Sequence, residues 1–416
     1  MSKKRSRQGK SCFKDNYKGY TLSPSDMIRI IAAEDITSEE FYESFVSKRR
    51  PVVLRSSNSE FLREAFSYDS LINIAGNEMV QVEDKRDGNF GSSNVEDRGS
   101  VKFSTFMRSL KTGRFYMTTQ DIKDDEEKGI PSDFCPLIVR RFVDAGLIPE
   151  ALPVAGNLLL DQINCWMGYS NSTTSSGFHH DFHDNLYFVI KGKKLFKLCS
   201  PDKISLNRTC GSEAGNSVII HPNGFVSYSG DLYREDGASK VDVLSWKAID
   251  SEEASDELEE FLLDRALETE VPESKKPPSF CIERSAPIDS VNVELVAGDI
   301  FYLPAGYLHE VLSSNDKEDT GHMVFNYWYH PPCMTGNYEN PYPDDFWKVH
   351  SEKIGKVIDK RRRNSERQLL EYTRRKSTRV SWRLKPRPLC RFFKTAEIKR
   401  FLLGRIRSKH NSKNNR

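Results

Sequence analysis

From residue 158 onward the chain is written in short apolar runs, and this pattern constrains its fold more than any other feature. Residues 158–160, 163–167, 186–190, 195–198, 293–296, 300–303 and 323–329 are such runs, separated by Gly, Asn, Pro and Ser. Many short strands with turn signals between them predict a β-sandwich or barrel rather than βαβ units. The preceding part reads as mixed. Thr37 and Glu40 have capping-box spacing ahead of Phe41, Tyr42, Phe45 and Val46, which marks a helix start with one apolar stripe. Pro51-Val52-Val53-Leu54, residues 79–82 and residues 115–117 read as strands, and 83–99 as a polar, turn-rich stretch.

The expected organisation is a loose basic arm over 1–25, an α/β part over 26–157, a β core over 158–340 and a basic helical tail over 341–416. The fold class is therefore mainly β with flanking helices. An insertion over about 205–285 is expected between two core strands. Within it, residues 251–270 hold nine acidic residues and one basic residue, with Leu258, Phe261, Leu262, Ala266 and Leu267 in a helix-like stripe. A solvated acidic face is the plain reading of that segment.

Charge is divided along the chain. The net charge is +2, from 62 Lys and Arg against 60 Asp and Glu. Residues 351–416 hold 23 basic and 5 acidic residues, a balance of +18, which leaves 39 basic and 55 acidic residues, or −16, for the rest. An acidic body with a basic tail suits nucleic acid or an acidic partner at the tail. The eight cysteines form no CxxC pair and read as reduced thiols in an intracellular protein. No apolar run approaches the ~18 residues of a membrane helix, and no apolar stretch follows the N-terminal charges as in a secretory signal.

The chemistry gathers around His179-His180-Asp181-Phe182-His183-Asp184-Asn185. In a strand, alternate side chains share a face, so His179, Asp181, His183, Asn185 and Tyr187 would point one way. An imidazole and a carboxylate two residues apart are good geometry for two metal ligands. A third ligand is His309, reached through a Gly298-Asp299 turn, a strand, a Pro304-Ala305-Gly306 bend and a second strand. Two histidines and a carboxylate form the facial triad of non-haem Fe(II) oxygenases. Taken alone, an HxD pair is also compatible with hydrogen-bonded structural residues. Lys194 lies across the Lys191-Gly192-Lys193 hairpin and alternates with Phe196 and Leu198, so it should project inward. An ammonium there needs an anionic partner. Lys191 and Lys193 fit an ordinary surface turn.

These segments resemble the JmjC-domain proteins, the Fe(II)- and 2-oxoglutarate-dependent oxygenases of cupin, or double-stranded β-helix, fold. The resemblance is carried by Asn164-Cys165-Trp166-Met167-Gly168, by Ser176, His179, Asp181, Asn185, Gly192, Lys194 and Ser200-Pro201, by the stretch from Gly298 to Val311, and by Val324-Phe325-Asn326-Tyr327-Trp328-Tyr329. It extends over roughly 30–335 and is strongest toward the small branch of protein hydroxylases and lysine demethylases. It implies that His179, Asp181 and His309 bind Fe(II), and that Lys194 pairs with the distal carboxylate of 2-oxoglutarate. It further implies that Ser176 and Tyr116 hydrogen-bond that carboxylate, that Asn185 and Asn326 orient the co-substrate, and that Trp166 forms part of the pocket wall. His183 would support the metal site without binding the ion. The implied reaction consumes O2, releases succinate and CO2, and hydroxylates a protein side chain or demethylates N-methyl-lysine.

The offset of 130 positions from His179 to His309 is long for such a protein, and the tail is unusually basic. Lys360-Arg361-Arg362-Arg363 and Arg374-Arg375-Lys376 resemble nuclear-import clusters, which implies a nuclear, chromatin-directed protein. They equally suit a phosphate backbone or a solvated helix. An acidic body complements a basic, histone-type peptide. The rival to an enzyme is a catalytically silent cupin that binds chromatin or nucleic acid through its tail.

Overall fold

A computed structural model describes residues 17–56, 60–84, 98–125, 130–170, 174–203, 218–228, 290–316, 320–342 and 344–377. The N-terminal part contains β1 (Arg29–Ala32), α1 (Ser38–Phe41), β2 (Val52–Arg55), α2 (Glu60–Ala65), α3 (Tyr68–Ala75), β3 (Met79–Asp84), β4 (Arg98–Lys102), α4 (Phe103–Ser109), β5 (Phe115–Met117) and α5 (Leu137–Asp144). The core continues with β6 (Leu160–Gly168), β7 (Thr174–Ser175), β8 (Asp184–Lys191) and β9 (Lys193–Cys199). There follow β10 (Val218–Ile220), β11 (Val226–Tyr228), β12 (Val291–Val296), β13 (Asp299–Leu303), β14 (Leu308–Ser314), β15 (His322–Tyr329) and the long α6 (Phe346–Ser377).

The helix start at Thr37 forms as its sequence dictates. The Thr37 side chain accepts from the Glu40 N–H, and the Glu40 carboxylate accepts from the Thr37 N–H, which completes a capping box. The short apolar runs become strands of two sheets. One has the order β1-β2-β13-β8-β15-β6-β5-β3-β4, the other β12-β9-β14-β7. The two sheets face each other as a jelly roll, with helices against the outer face of the larger one.

Alternation sorts the side chains of the large sheet. Ile163, Cys165 and Met167 of β6, Leu186, Phe188 and Ile190 of β8, and Phe325 and Tyr327 of β15 join the core beneath the helices. There Phe325 meets Phe66 and Phe142 at ring-centroid distances of 6.0 Å each. The opposite face supplies Tyr187, Val189, Phe301, Leu303 and Val324, which pack on Phe196, Leu198, Val293 and Val311 of the small sheet. Gly192 closes the β8–β9 hairpin at φ +75°, where an added Cβ would lie 2.6 Å from the Ser314 carbonyl oxygen.

Several boundaries differ from the sequence expectation. Residues 17–25 do not form a loose arm: Leu22 is buried, and its N–H donates to Ser200 Oγ at 3.1 Å. Residues 1–16 lie outside the described residues. Residues 218–228, expected within the insertion, belong to the barrel mouth, because Ile220 and Val226 bury against Cys199 and Leu308. The acidic stretch 251–270 lies outside the described residues. The first part of the tail is one helix docked through Ile354 and Val357 on Ile130. Beyond it, residues 359–368 are exposed on every side. Arg374-Arg375-Lys376 fall within this helix, and everything after residue 377 lies outside the described residues.

Candidate metal and co-substrate site

The segment 179–183 is not a strand, so alternation does not hold across it. His179 makes an isolated antiparallel bridge with His309, donating its N–H to the His309 carbonyl at 3.0 Å and accepting the His309 N–H at 2.7 Å. That bridge puts the two imidazoles side by side, with ring centroids 4.2 Å apart. Asp181 follows in the loop, and its Oδ2 lies 3.7 Å from His309 Nε2. One ligating atom from each of His179, Asp181 and His309 lies within 4.8 Å of the others.

The tautomers suit a cation. His179 Nδ1 is 2.9 Å from the Gly177 carbonyl oxygen and His309 Nδ1 is 2.9 Å from that of Tyr307. A carbonyl only accepts, so each Nδ1 carries the proton and each Nε2 keeps its lone pair. Burial pushes His309 down to about 4, with the His179 ring adding to the effect, so its imidazole is neutral at physiological pH. Phe196 lies nearly parallel to the His309 ring at 5.9 Å and holds it in place.

The loop is anchored from behind. The Arg49 guanidinium makes two hydrogen bonds to the Asp184 carboxylate, one at 2.6 Å, and Tyr302 and the Ala305 N–H each donate to the same group at 2.9 Å. Arg49 adopts φ +54°, a conformation that costs an L-residue of order 1 kcal/mol. The buried ion pair holds it there.

Lys194 projects into the barrel as its alternation predicted and is fully buried. Its register partner on β14 is Ser313. Lys194 Nζ donates to Ser313 Oγ at 2.7 Å and lies 3.2 Å from His322 Nδ1. Ser170 Oγ is 3.2 Å from His322 Nε2 and 3.0 Å from Thr174 Oγ1. Tyr116 is buried with its ring 5.8 Å from His322 and 6.2 Å from Trp166. Burial pushes its phenol well up, so it stays a neutral donor.

Ser176 stands apart from this group in its bonding. Its hydroxyl accepts from the Val311 N–H at 2.9 Å and donates to the Gly177 carbonyl at 3.0 Å, so it secures the strand leading to His179. Ser170, Thr174, Ser313 and His322 were not singled out from the sequence. The signal for Ser313 was present, four residues after His309 on one strand face. Ser170 and His322 are joined only by pairing of distant strands.

The barrel-side face of the large sheet carries a set of buried polar groups. Among the described residues, Asn164 Oδ1 and Nδ2, Trp166 Nε1, Asn185 Oδ1 and Asn326 Oδ1 are buried without a hydrogen-bond partner. They occupy the face of β6, β8 and β15 opposite the helix-side core. Buried polar groups are normally satisfied, so several exceptions on one sheet face fit a polar guest. With three convergent metal ligands and a buried ammonium, the donor set fits a ferrous ion and a keto-diacid.

His183 leaves the face shared by His179 and Asp181. Its Nε2 lies 3.4 Å from Asp161 Oδ2, and His330 Nε2 lies 3.7 Å from Asp161 Oδ1, forming a separate group.

Residues 38–335 match the Cupin-like domain family. JmjC domain-containing protein 4 of Schizosaccharomyces pombe is 28% identical over 82% of this chain and 93% of its own length. Lysine-specific demethylase JMJ32 of Arabidopsis thaliana is 27% identical over 41% of each chain. The human bifunctional peptidase and (3S)-lysyl hydroxylase JMJD7 is 26% identical over 44% of this chain and 45% of its own. Barrel, ligand set and relatives agree: the chain belongs to the cupin-like JmjC family of Fe(II)- and 2-oxoglutarate-dependent oxygenases.

Proposed function

We propose that this protein is an active 2-oxoglutarate-dependent oxygenase whose substrate is a lysyl side chain of another protein, oxidised at a ring-free C–H bond of the side chain or at an N-methyl group. The observation that carries the reading is the convergence of His179, Asp181 and His309 at one end of a barrel whose interior also buries Lys194. Two of the relatives are named for chemistry on lysine.

Each residue has a task. His179 and His309 would hold the ion through Nε2 while their Nδ1–H groups stay on the Gly177 and Tyr307 carbonyls. Asp181 would supply the negative charge of the ligand set. Lys194 would hold the far carboxylate of 2-oxoglutarate by a charge-assisted hydrogen bond, with Ser313, His322 and Tyr116 alongside. Asn185, Asn326 and Trp166 would meet the co-substrate and orient it. Phe196, Tyr187, Val189 and Val324, buried together on the barrel side, would keep bulk water from the co-substrate. A ferrous ion held there would supply the dioxygen activation and one-electron chemistry that these side chains lack.

The test is release of succinate coupled to oxidation of lysine-containing peptides, read by mass spectrometry. Gain of an oxygen atom identifies hydroxylation, and loss of a methylene unit identifies demethylation. Asp181→Ala should abolish both succinate and product. If the wild-type protein gives neither with any protein or peptide substrate, the chain is a silent cupin and the proposal is wrong.

A further inference from the structure

The group formed by Asp161, His183 and His330 has the composition of the triad and lies outside it. We propose that it is a second binding site for a divalent transition-metal ion, of the zinc type, clamping the ends of β6, β8 and β15. The inference goes beyond the oxygenase reading and does not depend on it.

Two strand features aim these side chains at one point. Tyr329 pairs with Asp184 across β15 and β8, so His330 and His183 are the next residues in line on the two strands. On the other side of β15, Trp328 pairs with Gln162 but Tyr329 pairs with Leu160, which leaves Asp161 as the extra residue of a bulge. A bulge re-aims a side chain out of the regular alternation. Here it delivers a carboxylate between the two imidazoles, and one ligating atom of each residue lies within 4.8 Å of the others.

The distances favour a metal over direct bonds. The two imidazole-to-carboxylate gaps of 3.4 and 3.7 Å exceed an ordinary N–H···O bond of about 2.7–3.2 Å. Ligands about 2.0–2.1 Å from a tetrahedral zinc stand roughly 3.4 Å from one another. An ammonium would need its acceptors farther apart, at about 4.6 Å, because each of its hydrogen bonds is about 2.8 Å long. The recognised triad shows the same spacing, 3.7 Å between His309 Nε2 and Asp181 Oδ2. Exposure is also parallel: one imidazole is buried in each group, with side-chain exposure of 3%, and the carboxylate is a quarter exposed, at 27% here and 25% in the triad.

The rings are held as ligands are held. Trp328 stacks on His183 at 6.0 Å and 14°, and Trp347 stacks on His330 at 3.5 Å and 16°. Trp347 belongs to α6, so an ion here would tie the docked C-terminal helix to the loop carrying Asp181, two residues before His183. Solvent reaches the group from the side of His183 and Asp161 and would supply a fourth ligand.

The test uses the full chain stripped of metal and titrated with Co2+ and Zn2+, with bound metal counted and the Co2+ absorption recorded. The wild-type protein should bind two equivalents. Asp181→Ala, which disables the recognised triad, should retain one equivalent and its own Co2+ spectrum. Adding His183→Gln to Asp181→Ala should weaken that remaining ion by more than about 100-fold, beyond what loss of an outer hydrogen bond does. His183 is a partly exposed loop residue, so the double variant should fold, and circular dichroism checks that it does. A Co2+-silent Asp181→Ala protein overturns the proposal, as does an unchanged affinity in the double variant. If the oxygenase assignment fails, succinate is absent but the ion of Asp181→Ala remains, so the two failures are distinct.

Discussion

The two faces of the large sheet are built from the same strands and do opposite work. On the helix side, β6, β8 and β15 present Ile163, Cys165, Leu186, Phe188, Phe325 and Tyr327 to a closed apolar core. On the barrel side, the neighbouring positions carry Asn164, Trp166, Asn185 and Asn326; the Asn164 amide, the Trp166 indole N–H and the side-chain oxygens of Asn185 and Asn326 are buried without hydrogen-bond partners among the described residues. One residue along the chain separates a position that stabilises from one that costs. A face that forgoes satisfied contacts is preorganised for a guest, and the apolar face behind it supplies the stability that tolerates this.

Substitutions that divide the faces should separate folding from function. Phe325→Ala, on the helix side, should destabilise by about 3–5 kcal/mol, because it empties the space between Phe66 and Phe142. Chemical unfolding reads this directly, and a loss below about 1 kcal/mol would contradict the division of labour.

A buried, acid-sensitive residue lies next to the metal-ligand pair His179 and Asp181. Burial lowers His180 from 6.5 to about 4 in the folded chain. The unfolded chain therefore takes up the proton first as pH falls, and stability present above pH 6.5 is lost progressively toward pH 4. In the metal-free protein His180 alone should account for up to about 3 kcal/mol of that loss, with buried His309 adding its own share, and His180→Phe should reduce the slope without abolishing it. Urea midpoints at several pH values check both.

Lys194→Met should leave the fold intact and raise the 2-oxoglutarate requirement by about 10–100-fold, the worth of one charge-assisted hydrogen bond. The split between KM for 2-oxoglutarate and stability is the diagnostic. The smallest effect belongs to Asn326→Val. It should change stability by less than about 1 kcal/mol, in either direction, because the buried Asn326 carbonyl has no hydrogen-bond partner among the described residues. Its turnover should nevertheless fall. A large loss of stability would show that Asn326 is structural.

Much of this site was legible in the chain. The types and spacing of His179, Asp181 and His309 and the inward direction of Lys194 could be read locally, although the triad itself is closed by the long-range bridge between His179 and His309. Alternation misled at His183, since 179–183 is a loop and a strand rule has no force there. Ser313 shared the face of His309 and was within reach of the same rule. His322 and Ser170 were not, because their meeting depends on which strands lie side by side.

Fold class and the faces of individual strands follow from residue order, since apolar periodicity, turn residues and capping act within a few positions of one another. The partners of those faces do not. That Arg49 anchors Asp184, that residues 218–228 belong to the barrel mouth, and that a one-residue bulge turns Asp161 toward His183 and His330 were decided by strand pairing at long range. Pairing is a collective outcome of burying both faces at once, and no single segment encodes it.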